Sequence, residues 1–221
     1  MIRILTCLMM LALPALPAQA QAQKQESVNV GGKQAFLHVP ANARASAVLV
    51  PGRGGIDPSD PLLRNRAALN AAGIATLTVP HSIVIGQALQ YMRKVKEPVG
   101  LVGMSAGVSW AARGVGNGAK PDALVLISGN LMPPGKMPAQ QSLKSPSALP
   151  RTLVLHNRND GCEMTPPSGA EAFAKWSGGR ATLQWIGGNG GGKDPCGPNS
   201  AHGFMGADGQ VVGAIVGFIA R

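Results

Sequence analysis

Aromatic side chains make up only 4% of this 221-residue chain, with four phenylalanines, three tryptophans and one tyrosine. Stacking platforms for single-stranded nucleic acid are therefore scarce. Acidic residues are few as well: 10 Asp and Glu stand against 20 Lys and Arg, a formal charge of +10. The basic residues are dispersed singly, and only Arg93-Lys94-Val95-Lys96 resembles a cluster. That pattern argues against a nucleic-acid surface and leaves attraction to anionic surfaces or substrates open. No internal repeat is visible. The glycine run at 187–193 ends in Lys193 without a following Ser or Thr and lacks a strand-loop-helix setting, so no phosphate or dinucleotide fingerprint is present and no cofactor is expected.

Long apolar runs are missing too. The run at residues 4–13 spans about ten residues, half of the ~20 that a bilayer-crossing helix needs. It follows Arg3 and precedes Ala18-Gln19-Ala20, the order of a signal peptide cleaved after Ala20. Cys7 lies too early, inside the apolar run, for a lipid-attachment cysteine. Export to the periplasm or beyond is expected, with no membrane span after cleavage. Residues 21–221 suit a single domain and retain 19 basic and 10 acidic residues, because only Arg3 is lost. Of three cysteines, Cys162 and Cys196 remain. In an oxidising compartment they are expected to pair, closing a loop of about 34 residues with a chain-entropy effect of about 3–4 kcal/mol. His156, Asp160, Cys162 and Glu163 are close in sequence, but an exported chain oxidises such a cysteine more readily than it metallates it, and no metal site is expected.

Residues 27–30 and 33–39 alternate around Gly31-Gly32, the signature of a hairpin. Residues 47–50 form a buried strand ended by Pro51-Gly52, and Asp60 caps a helix that Pro61 begins, which runs through Leu69 and ends at Gly73. Strands are then expected at 74–79, 99–102, 122–127, 151–155 and 181–186, with helices at 83–96, 105–113, 167–176 and 210–220. Such alternation predicts an α/β fold with a mostly parallel sheet, helices on both faces and a leading antiparallel hairpin. The Pro-, Ser- and Gln-rich segment 129–150 and the Gly- and Pro-rich segment 187–203 read as loops. Both follow carboxyl ends of strands, where ligands meet an open parallel sheet.

Gly103-Met104-Ser105-Ala106-Gly107 is a G-x-S-x-G motif between a buried strand and a helix-forming run. In a strand-turn-helix the serine must adopt a strained backbone, and glycine two residues on either side relieves the crowding. The hydroxyl is thereby presented at a helix N-terminus, which favours developing negative charge. On this motif and the order of elements around it, nearly all of residues 27–221 resembles the α/β-hydrolase superfamily, in particular small secreted serine esterases without a large cap.

The resemblance implies a nucleophile, acid and base in the order serine, acid, histidine. His156 and His202 follow Ser105. His202, in a loop between the last strand and the final helix, stands where the family places its base. Among Asp122, Asp160, Glu163, Glu171 and Asp194, the match to the family's H-G-x-x-D turn favours Asp160, with Asn157 in place of the usual glycine. The segment "LVPGRGGID" resembles the family's oxyanion loop, with Pro51 where histidine often stands. The backbone N–H groups of Arg53 and Met104 are then expected to form the oxyanion hole. Secreted cutinases and related polyester hydrolases also carry a disulfide near these two loops, so the Cys162–Cys196 bond is expected to brace the acid and base loops. His81 is read as a wall residue or structural hydrogen bonder, and Leu131, Met132, Met104 and Trp110 as apolar lining. Only about 23 residues separate 127 from 151, short for a helical cap. The implied activity is hydrolysis of a small or polymeric carboxylic ester. A peptidase or thioesterase using the same triad, and a binding protein that keeps the fold without activity, are the alternatives.

Overall fold

The computed structural model describes residues 25–188 and 190–221, and the expected signal peptide, residues 1–20, lies outside them. Strands β1 (Glu26–Val30) and β2 (Lys33–His38) form the hairpin. Its turn needs left-handed backbone at both central residues, supplied by Gly31 (φ 60°) and Gly32 (φ 78°). Next come β3 (Ala45–Val50), helices α1 (Pro61–Arg64) and α2 (Arg66–Ala71), β4 (Ile74–Thr78) and α3 (Ile85–Val95). They are followed by β5 (Val99–Met104), α4 (Ala106–Gly116), β6 (Ala123–Ile127), α5 (Ala139–Leu143), β7 (Thr152–His156), α6 (Pro167–Trp176), β8 (Ala181–Trp185) and α7 (Asp208–Ile219). No helix of the described residues is long and apolar enough to cross a membrane.

The eight strands make one sheet in the order β1-β2-β4-β3-β5-β6-β7-β8. β2 pairs antiparallel with β1 and β4, and every other pairing is parallel. Side chains alternate between the two faces. Along β3, Val48 and Val50 join a core cluster with Leu89 and Met92 of α3, Val108 and Ala112 of α4 and Phe173 of α6. Ala47 and Leu49 turn to the opposite face and pack with Leu62 of α1, Leu69 of α2 and Ile215 of α7. β3, β4, β5, β6 and β7 are buried at every position, the condition of strands covered on both sides.

Two expectations for local structure are revised. The helix expected from Pro61 onward is broken at Asn65, whose side chain donates to Pro61 O at 2.9 Å and to Asp208 Oδ1 at 2.5 Å. Segment 129–150 is not loop throughout: α5 buries Ala139 and Leu143 against the same core face as α4. Its Pro-, Ser- and Gln-rich composition hides that helix, which is defined by tertiary packing rather than by propensity.

Candidate active site

Ser105 lies between β5 and α4 with φ 52° and ψ −117°. This left-handed backbone is costly for a side-chain-bearing residue and persists only where the surroundings impose it. The surroundings do so through a 2.8 Å bond from Ser105 N–H to Ile127 O and through two glycines. A Cβ at Gly103 would lie 2.7 Å from Gly107 O. A Cβ at Gly107 would strike the carbonyl oxygens of Val50 and Pro51. The motif's glycines are thus demanded by close approach of backbone to backbone.

His202 and Asp160 come from separate loops and meet in a buried pair, His202 Nδ1 lying 3.0 Å from Asp160 Oδ2. Asp160 follows β7; its Oδ1 accepts the Cys162 N–H at 2.9 Å, and its Oδ2 accepts the Thr165 hydroxyl at 3.1 Å. His202 is 1% exposed, and its Nε2 has no hydrogen-bond partner among the described residues. Ser105, Thr165 and His202 line one cavity of about 470 Å³. Among the described residues no hydrogen bond joins the Ser105 hydroxyl to His202 Nε2.

Among the described residues, the loop that carries His202 has no regular secondary structure, and it is held by side chains from elsewhere. Arg64 of α1 donates to Pro198 O at 2.7 Å and Gly203 O at 2.6 Å, and its Nε meets Asp208 Oδ1 at 2.8 Å. Asn157 donates to Gly188 O at 2.8 Å and Ala201 O at 3.0 Å. Asn157 therefore stitches the turn after β7 to the loop that carries His202. Cys162 and Cys196 form the disulfide between the same loops, with a Cα–Cα distance of 4.6 Å. Full reduction of this bond, confirmed by thiol titration, is expected to cost about 2–4 kcal/mol and to lower the melting temperature. Unchanged melting after reduction would show that Arg64 and Asn157 suffice.

The second histidine, His156, ends β7 fully buried. Its Nδ1 donates to Asn157 O at 3.2 Å, leaving Nε2 unpartnered at 3.9 Å from Asp160 Oδ2. Burial lowers its pKa, so the imidazole stays neutral and does not draw on the Asp160 charge as a second cation would.

Arg53 lines the cavity on the loop after β3. Asp60 fixes that loop: its Oδ2 accepts the Gly52 N–H and its Oδ1 caps α1 through Leu62 N–H, each at 2.8 Å. Burial raises the Asp60 pKa against these donors and the nearby Arg64. The Arg53 side chain is exposed and lies 3.9 Å from Asp194, an exposed pair of little energetic weight.

The expectation for Met104 is corrected. Ser46 N–H donates to Pro98 O across the β3–β5 ladder, and Ser105 N–H to Ile127 of β6. Alternation along β5 therefore turns the Met104 N–H toward β3 and away from the cavity. The free donor beside the serine is that of Ala106, the first residue of α4, whose N–H has no intrahelical acceptor. Ala106 and the Met104 side chain both line the cavity.

Trp110 is in the cavity wall as expected, but Leu131 and Met132 are not. Leu131 is 1% exposed within the core and Met132 packs against it. The apolar rim is made instead by Met137 and Met164, 47% and 51% exposed. His81 donates from Nε2 to Pro51 O at 2.7 Å and stacks on Trp110 at 5.7 Å, supporting the wall and the loop.

No protein-family model matches this sequence, and no curated protein matches it. Solved structures do match its fold. The esterase domain of a Rhodothermus marinus protein superposes with a TM-score of 0.64 at 13% identity, over 90% of this chain and 100% of that one. A dienelactone hydrolase from Anabaena variabilis gives 0.61 at 16% identity, covering 89% and 96%. An alpha-beta serine hydrolase homologue from Coxiella burnetii gives 0.63 at 12% identity, covering 90% and 98%.

Proposed function

The chain has the α/β-hydrolase fold, and on that scaffold we propose an exported serine hydrolase that cleaves carboxylic esters with Ser105, His202 and Asp160. The observation that carries this reading is His202, paired with the buried Asp160 at 3.0 Å and lining the same cavity as a serine held at φ 52°. Nδ1–H of His202 is directed to the Asp160 carboxylate, so the lone pair of Nε2 is available to the cavity. Nε2 takes the Ser105 proton as Oγ attacks the ester carbonyl. The backbone N–H groups of Arg53 and Ala106 meet the oxyanion, and the α4 N-terminus adds its dipole. Collapse of the tetrahedral intermediate expels the alcohol, protonated by Nε2. Water then repeats the sequence on the acyl-enzyme.

Met104, Trp110, Met137 and Met164 offer the cavity an apolar lining suited to an apolar acyl or alcohol group. The open mouth, with only short α5 and a single 3-10 turn (Pro146–Ala148) described between β6 and β7, suits accessible esters. Export is the setting in which the Cys162–Cys196 bond persists.

An active-site-directed fluorophosphonate tests the reading. Folded wild type is expected to label to one equivalent and to hydrolyse p-nitrophenyl acetate, while Ser105→Ala does neither. Folded wild type that takes no label would leave a binding protein on a hydrolase scaffold. Parallel assays on peptide amides and thioesters separate the acyl classes.

A further inference from the structure

We propose that Thr165 is a positioning residue of this triad, holding the Asp160 carboxylate and the His202 imidazole in line through a closed ring of three polar atoms. The assignment rests on the reading of His202 as the base. Thr165 Oγ1 lies 3.1 Å from Asp160 Oδ2 and 3.1 Å from His202 Nδ1, and those two atoms are 3.0 Å apart. A carboxylate oxygen only accepts, so the threonine proton goes to Oδ2. The hydroxyl oxygen is left to face Nδ1 as an acceptor. Nδ1 therefore meets two acceptors and no donor, which places its proton there and leaves Nε2 free toward the cavity.

The local sequence makes the hydroxyl rigid. Thr165 is 3% exposed, its β-branched side chain is stiff at χ1, and its N–H donates to Cys162 O at 3.0 Å. Pro166 and Pro167 follow, and a residue before proline is confined to extended backbone. Cys162 accepts this bond, donates to Asp160 Oδ1 and is linked to Cys196 of the histidine loop. One residue thus anchors Thr165, the acid and the base loop. Composition and motif spacing give no sign of this, because a threonine five positions beyond the acid belongs to no family pattern quoted above.

The test compares wild type, Thr165→Val and Thr165→Ser as full-length, disulfide-bonded proteins. Thr165→Val keeps the shape and removes the hydroxyl. It is expected to lower kcat on p-nitrophenyl acetate and the rate of fluorophosphonate labelling by about 10- to 100-fold, the scale of a misplaced catalytic group. KM should change less than about threefold, and Thr165→Ser should restore most of the rate. The His202 Nδ1 proton resonance is expected far downfield in wild type and in Thr165→Ser and shifted upfield in Thr165→Val, where Asp160 alone keeps the proton on Nδ1 but the ring that held the two groups in line is open. Wild-type rates and proton shift in Thr165→Val would overturn the assignment, as would a loss that Thr165→Ser shares and that follows melting temperature alone. Folded wild type that takes no label would sink the hydrolase reading instead, and the proton-shift measurement would then decide Thr165 by itself.

Discussion

Exchanging His202 for alanine is expected to reduce kcat for p-nitrophenyl acetate by about 10⁴-fold or more, measured with the fluorophosphonate-titrated wild type as reference. A serine hydroxyl near neutral pH is a weak nucleophile, and no other imidazole stands ready to activate it. His156 is buried behind Asp160 with its Nδ1 committed to Asn157 O, and His81 is committed to Pro51 O. Among the described histidines that leaves His38, which belongs to β2, away from the crevice. The companion change Asp160→Asn is informative because it preserves size. An amide can turn its N–H toward Nδ1, which moves the imidazole proton to Nε2 and removes the base. It should therefore lose activity comparably while keeping the Arg64 and Asn157 bonds that hold the histidine loop. Retention of more than about a tenth of wild-type turnover in either variant would remove His202 and Asp160 from the mechanism.

What could be read from the sequence follows from the range of the interactions involved. Ser105 was legible because strand, tight turn and helix are contiguous, and because Gly103 and Gly107 crowd each other and the neighbouring strand across a few residues. The expected Cys162–Cys196 pair appears in the structure, and the mostly parallel sheet follows from the uninterrupted burial of β3, β5 and β6. Asp60 was visible as a helix cap, yet its second task, gripping Gly52 N–H, depends on the end of β3 returning beside α1. Arg64 and Asn157 escaped for the same reason. Their partners lie far along the chain, and nothing in the composition of a helix end or a turn announces them. Leu131 and Met132 look like pocket residues by position after β6, but packing on α4 and α5 draws that segment into the core, while Met137 and Met164 are left at the rim. The Met104 N–H faces β3 and not the cavity because N–H direction alternates along a strand, a geometric fact that residue type does not carry.

The largest effect on stability is expected at Gly107, where two opposing terms can be weighed. Alanine inside a helix is ordinarily better than glycine by about 1 kcal/mol. At Gly107, however, the added Cβ would lie 2.5 Å from Pro51 O and closer still to Val50 O. Both obstacles are backbone, at the end of the central strand β3, and neither has a side-chain torsion through which to yield. Relief requires the start of α4 and the end of β3 to separate, which disturbs the β3–β5 ladder. Overpacking of this kind costs about 1–3 kcal/mol where side chains can adjust and about 5 kcal/mol or more where they cannot. Gly107→Ala should therefore melt at least about 10 °C below wild type. Gly213 supplies the control, since it lies within α7 with no atom near the position of an added Cβ. There only the propensity term acts, and Gly213→Ala should be neutral or raise the melting temperature by a few degrees. The loop bearing Arg53 begins at those same carbonyls, so any Gly107→Ala protein that folds should also lose turnover. A variant with wild-type melting and turnover would mean that α4 does not press on β3 as closely as the Ser105 turn requires.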